Sequence, residues 1–388
     1  MLQPYRHVEF ANTLRGLACL MVVVAHYSYV FWIAPAAVAS YTHLPAPPPD
    51  QLVVPGFSVL NSIPYIQWGP LGVAVFFVIS GFVIPFSLTR QTFAGFCLSR
   101  ALRIMPTYIV GFGITLLTVL AGCWYFGTTV PFTLPEIAIH AVPGIRDLLQ
   151  SRNIDGIIWT LEIEVKFYLL CALSIAWMRR QSLNVFFIPL GFGGIALLLS
   201  TQLGSWSVNH PVWASFGTIW INLTQYLVFM YIGVVFHYIH VGALGRKGGI
   251  IAIAGLFLLT CLVWRSGPHS ATVFLAINYA VAVLLFALGM KFPRVFRSNP
   301  IFDFLASISY PLYVIHGVAG YVVLHTLREF HWSPLASVAV TSVLAISVSW
   351  SIHRLVELPT QRLGKHWAKR MQRRKSQAEL QHVDAVSV

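Results

Sequence analysis

Residues 12–32 read NTLRGLACLMVVVAHYSYVFW, an apolar run long enough to cross a bilayer, with Arg15 near its start and His26 in its middle. About 20 apolar residues span a hydrocarbon core, and such a stretch, retained and followed by many others, decides the fold as a membrane bundle. The two polar residues are eleven positions apart. At 3.6 residues per turn they return to within about 20° of one face, about 16 Å apart along the axis. Ionisable groups are costly in lipid and face a bundle interior or a wet cavity. One stripe of the first helix therefore carries a guanidinium at one end and an imidazole at depth.

The 388 residues are 57% hydrophobic and only 10% charged. A soluble domain has about 25% charged residues, so the composition excludes an ordinary soluble enzyme. The formal charge of +13 sits in short clusters between apolar runs. That is the pattern of orientation signals and not of a nucleic-acid surface. Cys19, Cys97, Cys123, Cys171 and Cys261 are scattered, show no metal-ligand spacing and make no disulfide framework. The first run lacks a cleavage site and is read as a retained helix.

Ten apolar segments follow one another, at 12–32, 69–88, 104–126, 156–178, 183–201, 214–239, 250–264, 271–289, 304–325 and 334–353. The expectation is an all-α, polytopic transmembrane helix bundle of about ten helices, with both termini cytoplasmic. Under that orientation twenty Lys and Arg residues lie inside, among them Arg6, Arg90, Arg100, Arg103, Arg179, Arg246 and Arg370; four lie outside, Arg146, Arg152, Arg265 and Arg328. The asymmetry obeys the positive-inside rule. Residues 1–355 are read as one transmembrane domain and 356–388 as a basic cytoplasmic tail, partly disordered. The connection 34–67, with HLPAPPPDQLVVPG at 43–56, reads as a Pro-rich outer flap, and LPEIAIHAVPGIRDLLQ (134–150) as an amphipathic stretch at the outer interface.

Five places carry polar chemistry. Imidazole takes a proton from a hydroxyl near neutral pH, which makes His26 a candidate base; Arg15 is either its companion or an interfacial anchor. The second segment, GPLGVAVFFVISGFVIPFSL (69–88), has small residues at Gly72, Ser80 and Gly81. These allow close helix packing or the passage of a slender ligand, and Ser80 and Gly81 are kept as donor-path candidates. In TFAGFCLSRALRIMPTY (92–108), Arg100 and Arg103 lie one turn apart at the inner surface. Guanidinium forks match phosphate oxygens, although ordinary positive-inside charge explains them as well.

The fourth segment, GIIWTLEIEVKFYLL (156–170), holds Glu162 and Lys166 at the i, i+4 spacing of a pair, while Glu164 lacks a local counter-ion and calls for a basic partner on another helix. The ninth, SISYPLYVIHGVAGY (307–321), places Ser309, Tyr313, His316 and Gly320 on one face, with a kink expected at Pro311. Whether His316 is chemical or structural stays open. Glu357, in VELPTQR (356–362), sits at the inner membrane edge as a structural partner for a basic residue.

In this order along residues 8–359, the chain resembles the acyltransferase-3 family of integral membrane acyltransferases, in its stand-alone polysaccharide O-acetyltransferase form. The resemblance is carried by Arg15 and His26 as R-x(10)-H, by GVAVFFVISGFVI, by Arg100 and Arg103 as R-x-x-R, and by WTLEIEVKFYLL against W-[ST]-L-x-x-E-x-x-F-Y-L. SISYPLYVIHG and VELP complete it. It implies ten helices, a cytoplasmic acyl-CoA donor (acetyl-CoA above all), no metal, and transfer to a carbohydrate hydroxyl such as that of O-antigen, other lipopolysaccharide or exopolysaccharide. It also implies that Arg100 and Arg103 contact the CoA phosphates and that Arg15 and His26 are needed for activity. Glu164 falls on the family's glutamate.

Some members add an extracytoplasmic SGNH hydrolase-like domain; none is expected here, so the membrane domain finishes the reaction or hands the acyl group to a partner transferase. The expected site is therefore His26, Arg15 and Glu164 for catalysis, with Glu164 or a backbone group orienting His26 as general base or covalent acyl carrier and Arg15 stabilising the donor or a developing oxyanion. Membrane lipids, acyl-CoA and the acceptor are the expected partners in a bacterial inner membrane. Two rivals stand beside this reading: the same chemistry on an antibiotic or lipo-oligosaccharide, and a secondary transporter or glycan flippase using His26, Arg15 and Glu164 for proton coupling.

Overall fold

The computed structural model describes residues 9–46, 63–89, 91–267, 273–297 and 299–386. Arg6, Arg90, most of the Pro-rich connection (47–62) and residues 268–270 lie outside them. All regular structure among the described residues is helical. The main helices are α1 (Glu9–Ala25), α2 (Pro35–Thr42), α3 (Trp68–Leu88), α4 (Phe93–Phe126), α5 (Leu134–His140), α6 (Ile158–Leu173) and α7 (Phe187–Asn209). They continue with α8 (Pro211–His240), α9 (Arg246–Ser266), α10 (Val273–Lys291), α11 (Pro300–Ile315), α12 (Val318–Glu329), α13 (Pro334–Ile352) and α14 (Leu358–Val386).

Among the described residues the apolar segments are largely helical, and seven helices are long and apolar enough to cross a membrane, or eight if a bent pair counts as one span. The bent pair is α11 and α12, which meet at 76°. Helix α6 falls short for a reason visible in its residues: it has only 16 and carries Glu162, Glu164 and Lys166.

The centre is α3, packed between α1 and α8. Its approach to α8 depends on two facing glycines. A Cβ on Gly81 would lie 2.0 Å from the Met230 carbonyl oxygen, and one on Gly233 would lie 2.3 Å from that of Val78. Small residues let backbones approach where lipid supplies no hydrophobic drive between helices. Gly81 is thus a packing residue on the α8 side of α3, which corrects its place on the donor path.

Helix α1 gives way to a wider π-type turn at His26–Val30. Such turns alter the side-chain register and recur at functional sites. The ninth segment breaks at His316–Gly317, not at Pro311, which stays within α11. Gly317 allows this because a neighbouring loop approaches it, with the Asp155 carbonyl oxygen 3.2 Å from where a Cβ would be. The basic tail forms a second π-type turn at His353–Glu357 and then α14, which lies along α4 with Gly364 against Ser99 and Ala368 against Gly95.

Candidate active site

Glu164 is the first polar group that α6 delivers to the interior, and its partners come from two helices. The Ser80 hydroxyl on α3 donates to Glu164 Oε1 at 2.8 Å, and the Tyr168 hydroxyl, one turn along α6, donates to the same oxygen. Ser80 therefore holds the carboxylate. Around this unit lies a cavity lined among others by Arg15, Arg103, Tyr310, Ser309 and Tyr313. Two guanidiniums against one carboxylate leave the cavity cationic, as an anionic ligand needs.

The R-x-x-R pair divides. Arg103 lines the cavity, whereas Arg100 stands behind it, donating to Ser87 Oγ at 2.6 Å and stacked over Phe96 and Tyr168 at 5.3 and 5.4 Å. Cation–π contacts of this kind hold the guanidinium in place. The Ser309 hydroxyl is spent on the Ala306 carbonyl. Glu357 is buried, receives Gln361 Nε2 at 2.8 Å, lies 2.6 Å from His353 Nδ1 and acts electrostatically on Arg15.

His26 faces a different cavity, of about 400 Å³, lined by Gln67, Trp68, Trp159, Tyr226, Tyr279 and others. Its Nδ1 is 2.5 Å from the Tyr321 hydroxyl. Glu164 is thus engaged by Ser80 and Tyr168, and the orienting partner of His26 is Tyr321; the expected Glu164–His26 pairing is corrected. Tyr321 escaped sequence reading because it lies beyond the helix break, on α12, where no periodicity relates it to His26.

Both histidines do approach each other, their ring centroids 4.7 Å apart and perpendicular. His316 is fully buried, and its Nδ1 donates to the Leu312 and Tyr313 carbonyls at 3.1 and 2.8 Å, in the last turn of α11. That bonding assigns the proton to Nδ1 and leaves Nε2 as a lone pair. Gly320 no longer shares the face of Ser309, Tyr313 and His316; a Cβ there would meet the Tyr27 ring.

Val73, Ile157 and Tyr313 line both cavities. Ile157 comes from the stretch before α6, which Asp155 organises. Its carboxylate accepts the Ile157 and Ile158 N–H groups, each at 3.0 Å, and the Tyr108 hydroxyl at 2.8 Å, with His140 Nε2 at 3.3 Å. Burial pushes this carboxyl up, but the hydrogen bonds and the His140 charge outweigh it and hold the group below the usual range. Asp155 thus satisfies two backbone N–H groups at the start of α6, a role that its place three residues before the helix did not announce.

The expected Glu162–Lys166 pair does not form. Glu162 takes two bonds from Arg146, at 2.6 and 3.1 Å, and Lys166 turns to Asp147. The 134–150 stretch is thereby tied to α6, with His140 fully buried and Leu134, Leu148 and Leu149 exposed on its other side. Among the described residues no group of three His, Cys, Asp or Glu is disposed to hold a metal.

A helical, multi-pass membrane protein with a cationic cavity backed against a histidine cavity defines the class. The profile of the acyltransferase-3 domain matches residues 8–354, nearly the whole chain. The chain belongs to that family and is an acyltransferase, which sets aside the transporter reading. Nodulation protein 10 of Rhizobium leguminosarum bv. viciae is 26% identical over 338 residues, covering 75% of this chain and 82% of the relative. The O-acetyl transferase of Shigella phage Sf6 is 23% identical over 297 residues, covering 73% and 83%. No solved structure matches.

Proposed function

We propose that the chain moves an acetyl or other short acyl group from cytoplasmic acyl-CoA to a hydroxyl of a cell-surface carbohydrate, such as O-antigen or exopolysaccharide, in a bacterial inner membrane. The observation that carries this reading is the junction of the two cavities at Val73, Ile157 and Tyr313, with Arg15 and Arg103 on one side and His26 on the other. The positive-inside count supports a cytoplasmic opening for the Arg103 cavity and cytoplasmic termini. The O-acetyl transferase among the relatives supports the acetyl group.

In this scheme Arg15 and Arg103 hold the anionic donor, Arg100 stiffens Tyr168 and Glu164 behind them, and the thioester reaches the junction. His26 Nδ1–H donates to the Tyr321 oxygen, which leaves Nε2 free to take the proton of an acceptor hydroxyl. The alcohol oxygen attacks the thioester carbonyl, a C–O bond forms, the C–S bond breaks, and the CoA thiolate takes the proton from the imidazolium. The aromatic lining of the outer cavity, Trp68, Trp159, Tyr226 and Tyr279, offers flat faces for a sugar ring.

The test uses purified protein in detergent with labelled acetyl-CoA and surface polysaccharide. Transfer is expected without any membrane gradient, and the Arg15→Ala, Arg103→Ala double variant is expected to raise KM for acetyl-CoA at least tenfold. Unchanged KM in that variant removes the donor site from this cavity.

A further inference from the structure

Tyr313 occupies a position that neither the donor role of Arg15 nor the base role of His26 uses. Of the three residues that line both cavities, it alone has a polar side-chain atom. Its hydroxyl lies 2.7 Å from Thr160 Oγ1. Thr160 spends its own proton on the Ile157 carbonyl at 3.0 Å, so the Tyr313 O–H is the donor in that contact. The backbone N–H of Ile157 is already taken by Asp155, and Val73 lies within the hydrogen-bonded body of α3. At the junction, then, one hydrogen-bond donor is free to change partners.

The surroundings fix the ring but leave the hydroxyl a choice. Phe76 packs edge-on at 6.1 Å, and His316 lies against the other side at 5.4 Å, itself in contact with His26. Arg15 and Arg103 belong to the inner cavity only, and the residues of the outer cavity place no guanidinium beside His26. Of the side-chain donors that line the His26 cavity, Tyr313 is the one that also lines the Arg15 and Arg103 cavity, and its ring contacts His316, which in turn contacts His26.

We infer that Tyr313 is a further catalytic residue, whose hydroxyl leaves Thr160 when the thioester enters the junction and donates to the carbonyl oxygen as it becomes an oxyanion. This rests on the acyl transfer proposed above. As the acceptor oxygen adds and His26 takes its proton, the negative charge gathers on the former carbonyl oxygen; when the C–S bond breaks, that charge leaves with the thiolate and the hydroxyl returns to Thr160. A preaimed donor in a water-poor site is worth far more at this moment than in solution.

Tyr313→Phe keeps the ring and the wall and removes only the oxygen. The expected result is a fall in kcat of about 10²–10³-fold, with KM for acetyl-CoA within threefold of wild type. The C=O stretch of bound [1-13C]acetyl-CoA is expected at lower frequency in the wild type than in the variant. A kcat within threefold of wild type, an unchanged stretch, or a KM that rises as far as kcat falls overturns the assignment. If the wild type itself transfers no acyl group, the acyltransfer scheme fails; an active wild type with an undiminished Phe variant sinks this inference alone.

Discussion

His26 and Tyr321 show how one contact sets the chemistry of a side chain. A neutral imidazole has a donor and an acceptor nitrogen, and the partner of one decides the task of the other. In the tautomer that the proposed transfer requires, Nδ1–H faces the Tyr321 oxygen and Nε2 is the basic atom, so Tyr321→Phe is expected to lower kcat about tenfold while leaving acetyl-CoA affinity unchanged. His26→Ala is expected to abolish O-acetylation of surface glycan, by about 10²–10⁴-fold, at normal protein level. Retained acetylation in the alanine variant removes His26 from the mechanism. His26 and Arg15 were legible in the sequence because polar groups stand out in an apolar run. Tyr321, His140 and Asp155 were not, because an aromatic, a loop histidine and a capping aspartate acquire meaning only from what folds against them.

At the scale of elements, α6 and the stretch before it behave as one unit. The carboxylate of Glu162 is 2% exposed and takes two bonds from Arg146, which lies 16 positions earlier. Removing one partner of a buried pair leaves an uncompensated charge, at a cost of about 3–5 kcal/mol. Arg146→Ala is therefore expected to lower the melting temperature in detergent sharply, and Arg146→Met with Glu162→Leu to recover most of it; a single variant as stable as wild type refutes the pairing. The helical spacing of Glu162 and Lys166 suggested a local pair worth a few tenths of a kcal/mol. Long-range contacts outbid it, since Arg146 offers two bonds to one carboxylate. The break at Gly317 was hidden for a similar reason. Pro311 is the stronger sequence signal for a bend, yet the chain turns where the Asp155 loop presses on α11 and α12.

For the whole molecule, the charge asymmetry supports a sidedness that an impermeant thiol reagent can test. In a chain without native cysteines, Leu134→Cys, on the α5 side, is expected to label in intact cells, whereas Leu363→Cys, on α14, is expected to label only after lysis; both positions are exposed in the fold. The reverse pattern places the Arg103 cavity on the wrong side for a cytoplasmic donor. By itself the sequence determined the helical membrane class, the segments that become helices, and the positions of Arg15, His26 and Glu164. Each follows from local hydropathy and from the cost of polar groups in lipid. The tertiary structure decided that Arg15 and His26 line two cavities with Tyr313 in the wall of both, that Ser80 and Tyr168 bind Glu164, and that Tyr321 attends His26. Those facts depend on helix crossings, a π-type turn and a broken helix, where residues distant in sequence meet at distances that no local periodicity encodes.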